Sequence, residues 1–127
     1  MDLLLDTHVV IWWNDGGDRL SGPVRAILAD PRNRIFVSAA TPWEIAIKTR
    51  KGRFAFRGPL DRLIEGNGFR PLPIAPAHGI LAGSLDWAHA DPFDRVIVAQ
   101  ALSEQLVLVH ADRAIRDFDG IGQLWAA

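Results

Sequence analysis

Leu3-Leu4-Leu5 is a short uninterrupted apolar run closed by Asp6, the pattern of a strand buried on both faces. Val9 to Trp13 open a helix, and Asn14-Asp15-Gly16-Gly17-Asp18 reads as a loop. Ser21 followed by Pro23 predicts a capped helix over 23–29, and Asp30 to Asn33 a turn. Ile35-Phe36-Val37 is a second strand, leading through Ser38 to a strong helix start. There Thr41 stands as N-cap, Pro42 at the first helical position and Glu44 where it closes a capping box. Gly52 ends that helix. A further helix is predicted over 59–65, stopped by Gly66 and Gly68. Leu72-Pro73-Ile74 is a weak strand that its proline confines to an edge. Residues 77–85 read as helical. Asp91-Pro92-Phe93-Asp94 repeats the helix-start signal for a helix reaching Glu104. Leu106 to Val109 form a buried fourth strand ending near Asp112, a short helix runs to Phe118, and Gln123-Leu124-Trp125 is a last edge strand. Short apolar strands alternating with helices predict an α/β fold, a mostly parallel sheet with helices on both faces. With no repeat and no linker, 1–127 reads as a single domain.

Composition narrows the setting. Hydrophobic residues make up 49% of the chain, enough for one buried core and too many for a disordered segment. Cysteine is absent, which removes disulfides and thiolate metal sites. No apolar run approaches the roughly 20 residues of a membrane span, and the N-terminus lacks the basic region of a signal peptide. These features lead us to expect a cytoplasmic protein. Net charge is −1, so overall charge does not argue for a nucleic-acid partner. The basic residues do cluster, at Lys48, Arg50, Lys51, Arg53 and Arg57. Arginine suits phosphate through its bidentate fork, although cations are also at home at a helix C-terminus.

The acids carry the chemistry. In an open α/β sheet, ligands bind beyond the carboxyl ends of the strands. Asp6 follows the first strand, Glu44 opens the helix after the second, Asp94 opens the helix before the fourth, and Asp112 follows the fourth. Right-handed crossovers bring all four to one rim, with Asp91 one turn from Asp94. Each acid alone also fits a capping role: Glu44 in the capping box, Asp94 near a helix N-terminus, Asp6 and Asp112 as caps. Capping does not explain four acids on one rim. Crowded carboxylates repel and raise a pKa, and a divalent cation removes the conflict. Oxygen ligands suit Mg²⁺ or Mn²⁺, and the matching chemistry is phosphodiester hydrolysis by metal-activated water.

Other residues have two readings each. Thr7 supports the site or caps a helix. Lys48 forms an i,i+4 ion pair with Glu44, a catalytic role being compatible with it. Arg95 is a candidate phosphate contact. His8, His89 and His110 fall near the rim, without the spacing of a zinc motif such as His-Glu-x-x-His, and read as polar neighbours or core residues. Trp12, Trp13, Trp43, Trp87 and Trp125 serve core or interface packing more readily than stacking on RNA bases.

Four ordered blocks carry a family resemblance: Leu3-Leu4-Leu5-Asp6-Thr7-His8; Ser38 through Trp43-Glu44-Ile45-Ala46-Ile47-Lys48; Asp91-Pro92-Phe93-Asp94-Arg95 with Ala99-Gln100-Ala101; and Ala111-Asp112. They resemble the successive blocks of the PIN-domain toxins called VapC, over nearly the whole chain. The resemblance implies a three-layer α/β/α fold with about five strands and an endoribonuclease dependent on Mg²⁺ or Mn²⁺. It also implies a cognate VapB-like antitoxin as partner, RNA as substrate, and a homodimer. By position, Asp6, Glu44, Asp94 and Asp112 match the family's acidic quartet, with Asp6, Asp94 and Asp112 as metal ligands and Glu44 as a further candidate. Thr7, Asp91, Arg95 and Lys48 are accessory, Asp91 as N-cap or outer-shell residue. Two departures stand out. His110 replaces the usual Thr or Ser, and Thr41-Pro42 replaces serine and a non-proline residue.

Two other functions compete with this reading. A phosphatase or receiver-like domain also places an aspartate after the first strand, but a haloacid-type phosphatase wants a second Asp two residues after Asp6, and His8 stands there. A PIN-fold module that binds RNA or protein with little or no catalysis draws its support from His110, against the intact quartet.

Overall fold

A computed structural model describes residues 1–127. The apolar runs become the strands β1 (Asp2–Leu5), β2 (Arg34–Ser38), β3 (Arg70–Leu72), β4 (Val107–His110) and β5 (Gln123–Trp125). The helices are α1 (Thr7–Asp15), α2 (Gly22–Ala29), α3 (Ala40–Arg50), α4 (Leu60–Gly66), α5 (Pro76–Ser84), α6 (Pro92–Glu104) and α7 (Arg113–Arg116). All strand pairs are parallel, in the order β3-β2-β1-β4-β5.

Side chains alternate across this sheet with period two, so a continuous apolar strand feeds two cores. Leu3, Leu5, Ile35, Val37 and Val109 face one side, packed with Val9, Val10, Val24 and Leu28 of α1 and α2. Leu4 and Leu108 face the other, packed with Phe93, Ile97, Val98 and Ala101 of α6 and Ile115 of α7. The three-layer α/β/α arrangement follows. The chain steps from β1 outward to β3, then returns across β1 to β4. The order therefore reverses between β1 and β4, the crevice where such sheets bind ligands. The Asp6 N–H donates to the Val109 carbonyl at 2.9 Å, which ties the end of β1 to β4 at that point.

Several boundaries differ from the sequence expectation. The largest correction concerns α3. It starts at Ala40, and the predicted Thr41–Glu44 capping box does not form. Thr41 and Glu44 are both buried, so their side chains turn inward and are unavailable to the helix end. Ser38 at the end of β2 takes over, its Oγ accepting from the Ala40 N–H at 3.0 Å. Helix α1 begins at Thr7, two residues early, and runs to Asp15 before Gly16 leaves it with φ +68°. Strand β3 covers 70–72 rather than 72–74, aligning Pro71 with Val37 at the sheet edge that tolerates a proline. β4 is shifted one residue later, and α7 is a single turn ending at Arg116. The expected cap of α2 is present: Ser21 Oγ accepts from the Val24 N–H at 3.3 Å.

Candidate metal centre

Asp6 and Asp112 follow β1 and β4, between which the sheet order reverses, and share one cleft; ligand atoms of Asp94 and Asp112 lie within 4.8 Å of each other, and Glu44 is carried by α3. Asp6 leaves β1 at the N-cap position of α1, yet its side chain makes no capping hydrogen bond. It is 3% exposed, and its Oδ1 is buried with no hydrogen-bond partner. Glu44, on the inward face of α3, is 2% exposed, and its Oε1 is likewise buried and unpartnered. Its Oε2 is held by Lys48, one turn on, in the expected i,i+4 pair. A buried carboxylate oxygen without a donor is costly. Two of them, on elements far apart in sequence, fit a cation-binding rim better than a capping one, although Gln100 Oε1 on α6 is buried and unpartnered as well.

Asp94 and Asp112 combine both roles. Asp94 lies in the first turn of α6, behind the true cap Asp91, whose Oδ1 accepts from the Asp94 N–H at 3.0 Å. Asp112 caps α7, its Oδ1 accepting from the Ala114 N–H at 2.9 Å. Ligand atoms of His89, Asp94 and Asp112 all lie within 4.8 Å of one another. His89 Nε2 is 2.7 Å from Asp94 Oδ2.

Electrostatics report the crowding. Burial first, and then the Asp6 charge, push the Asp94 carboxyl up to about 7; Asp91 and Asp112 add to the effect and the His89 contact opposes it. His8 has its Nδ1 3.8 Å from Asp6 Oδ2. The Asp6 carboxylate, assisted by Glu44, raises the imidazole above its usual value despite burial. Burial works to lower the Lys48 pKa, but Glu44, Asp91 and Asp94 outweigh it and raise it. Asp6 and Asp112 share a cleft of about 420 Å³ with His8, Trp12, Ala111 and Arg113.

The supporting residues are built in from several directions. Thr7 and Thr41 meet through their hydroxyls at 3.2 Å, joining α1 to α3 beneath Asp6 and Glu44. His110 is buried. Its Nδ1 accepts from the Asp112 N–H at 3.1 Å, which leaves the proton on Nε2 to donate to Gln123 Oε1 at 2.8 Å. Gln123 in turn donates to the carbonyls of Ile115 and Phe118. The residue that departs from the family pattern thus fixes the backbone of an acid.

Arg95 is committed elsewhere than to a phosphate. Its guanidinium donates to the carbonyls of Ala82, Leu85, Trp87 and His89 at 2.7–3.0 Å. It clamps the loop before α6, and that loop delivers His89. The sequence placed His89 near the rim but assigned it no role. The available signal was its position five residues before Asp94, which acquires meaning only once the loop folds back.

The PIN domain pattern matches residues 3–121 of the chain. Ribonuclease VapC22 of Mycobacterium tuberculosis is 30% identical over 119 residues, spanning 90% of this chain and 89% of that protein. Among solved structures, VapBC2 from Rickettsia felis bound to a promoter DNA fragment superposes with a TM-score of 0.70 at 14% identity, covering 98% of this chain and 99% of that one. DNA-bound VapBC from Salmonella typhimurium gives a TM-score of 0.66 at 18% identity, covering 98% and 97%. The structural likenesses carry the fold, and the sequence matches carry the family: this chain belongs to the PIN-domain family, among the VapC-type proteins.

Proposed function

We propose that the protein is the endoribonuclease toxin of a type II toxin–antitoxin pair, hydrolysing RNA phosphodiesters at the rim of Asp6, Glu44, Asp94 and Asp112 with Mg²⁺ or Mn²⁺. The observation that carries this reading is the pair of buried, unpartnered oxygens, Asp6 Oδ1 and Glu44 Oε1. Their donor set fits a hard divalent cation. Asp6, Asp94 and Asp112 would hold it, with Glu44 as a further ligand or as the group that orients water. A cation bound there supplies neutralisation of phosphate charge and acidification of water.

The chain's own residues do the rest. Lys48 keeps Glu44 oriented and carries a positive charge at the rim. Asp91 fixes the first turn of α6 and so the direction of Asp94. His110 holds the Asp112 backbone. This role for His110 weakens the reading of a catalytically silent module, for which that residue was the main support. Similarity to VapC22, a ribonuclease by name, favours RNA as substrate.

The VapBC assemblies that share the fold favour a VapB-like antitoxin as partner. Trp43 on α3 is 60% exposed. It packs edge-on against Phe93 at 4.9 Å and borders a hollow lined by Ala46, Ile47, Arg50 and Lys51. An aromatic anchor beside an anionic rim suits an inhibitor that places Arg or Lys against the acids. No helix is long and apolar enough to cross a membrane.

The test is cleavage of a fluorogenic RNA after chelation and re-addition of Mn²⁺ or Mg²⁺. The reading expects cleavage that stops in EDTA and returns with metal. Metal-independent cleavage, or none by a folded, antitoxin-free protein on any of a panel of structured RNAs, contradicts it.

A further inference from the structure

We propose that His89 is a ligand of this metal centre, making it a mixed carboxylate–imidazole site that favours Mn²⁺ over Mg²⁺. The inference rests on the metal-centre reading above and adds a nitrogen donor to the four acids.

The geometry starts from Arg95. Its four hydrogen bonds to the carbonyls of residues 82, 85, 87 and 89 fix the loop from which His89 projects. The imidazole then packs on Trp87, with ring centroids 4.8 Å apart, and Trp87 is itself braced edge-on by Phe118 at 5.2 Å. In this packing the ring holds its Nε2 2.7 Å from Asp94 Oδ2. Ligands on one ion with bonds of about 2.1 Å lie roughly 3 Å apart when adjacent and about 4.2 Å apart when opposed. The separation of His89 from Asp94 matches an adjacent pair. The limit of 4.8 Å on every separation among His89, Asp94 and Asp112 lets small side-chain adjustments place all three on one ion. Asp6 lies outside this 4.8 Å group but shares a cleft with Asp112, and its buried, unpartnered Oδ1 is a separate sign of a cation on that side of the rim. The other two histidines of the rim are disposed differently. His110 spends both ring nitrogens on Asp112 and Gln123, and His8 approaches Asp6 no closer than 3.8 Å.

The donor set has a consequence for the metal. Mg²⁺ is a hard cation that takes oxygen ligands and retains water. Imidazole is a softer donor that Mg²⁺ takes poorly, and it strengthens binding of transition ions relative to Mg²⁺, Mn²⁺ included although it gains the least of that series. The centre therefore discriminates between the two ions through one side chain.

The experiment is Mn²⁺ titration of the full-length protein followed by electron paramagnetic resonance. A pulsed measurement detects nitrogen coordinated to the bound ion. Wild type should show nitrogen modulation. His89→Gln should lose it, with Mn²⁺ affinity falling about tenfold or more and Mg²⁺ affinity changing far less. Modulation that is absent from Mn²⁺-loaded wild type, or that persists in His89→Gln, overturns the assignment while leaving the metal centre standing. Wild type that binds no Mn²⁺ overturns both. Asp6→Asn, which should abolish Mn²⁺ binding altogether, separates this site from any other on the surface.

Discussion

Replacing Asp94 by Asn removes a carboxyl that burial and the Asp6 charge hold protonated up to about pH 7. The shift is a statement about stability. The unfolded chain releases this proton near pH 4, the folded chain only near 7, so between those values unfolding releases a proton. Stability of the metal-free protein therefore declines as pH rises through that window and is flat above it. The rise from near 4 to about 7 is worth roughly 4 kcal/mol as a ceiling at pH 8. Asn keeps an acceptor for His89 but gives up a favourable charge in the first turn of α6, about 0.3–1 kcal/mol. Relaxation of the neighbouring acids in the wild type takes a further share. We expect Asp94→Asn to be more stable than wild type by about 2 kcal/mol at pH 8, roughly 8 °C in melting temperature for a domain of this size. The gap should shrink toward zero near pH 4. Thermal melts of both proteins in EDTA between pH 4 and 8 read it directly. A gap that stays constant with pH refutes the argument that burial and the Asp6 charge hold this carboxyl protonated.

Three further outcomes follow from contacts on other elements. Lys48→Met leaves Glu44 as a buried carboxylate without its cation, and should lower metal-free stability by about 2–3 kcal/mol in urea titrations; a loss within error would show that Glu44 is compensated elsewhere. His110→Ala deletes the acceptor of the Asp112 N–H and the donor to Gln123 from a buried position, and should cost about 2–4 kcal/mol. Chemical denaturation measures it, and a near-neutral variant would contradict the role given to His110. Trp43→Ala should weaken the complex with the cognate antitoxin by about 2 kcal/mol or more by calorimetry, with little change in the free protein's melting; unchanged affinity would move the docking surface off α3.

Much of this was legible in the chain. The doubly buried strands announced themselves as Leu3-Leu4-Leu5 and Leu106 to Val109, because period-two alternation between two apolar faces leaves no polar position. Strand and helix order leads to the expectation of Asp6, Glu44, Asp94 and Asp112 at one rim; the structure brings Asp94 and Asp112 within 4.8 Å of each other and of His89, and puts Asp6 and Asp112 in one cleft. Local signals misled where tertiary contacts competed. Thr41 and Glu44 spell a capping box, yet burial turned one toward Thr7 and the other toward Lys48, and Ser38 capped the helix instead. Arg95 read as a phosphate contact because its charge was visible and its four carbonyl partners were not. His89 reads in sequence only as a polar neighbour of the rim. A loop conformation set by a side chain farther along the chain leaves no periodicity to read.

Asp6 is the acid on which the central claim turns, because it is buried, caps nothing and has an oxygen without a partner. The most direct test compares wild type and Asp6→Asn for single-turnover RNA cleavage in Mn²⁺, after circular dichroism has shown both to be folded. The account predicts cleavage by the wild type and none above the EDTA background by the variant. Cleavage by Asp6→Asn at the wild-type rate would contradict it.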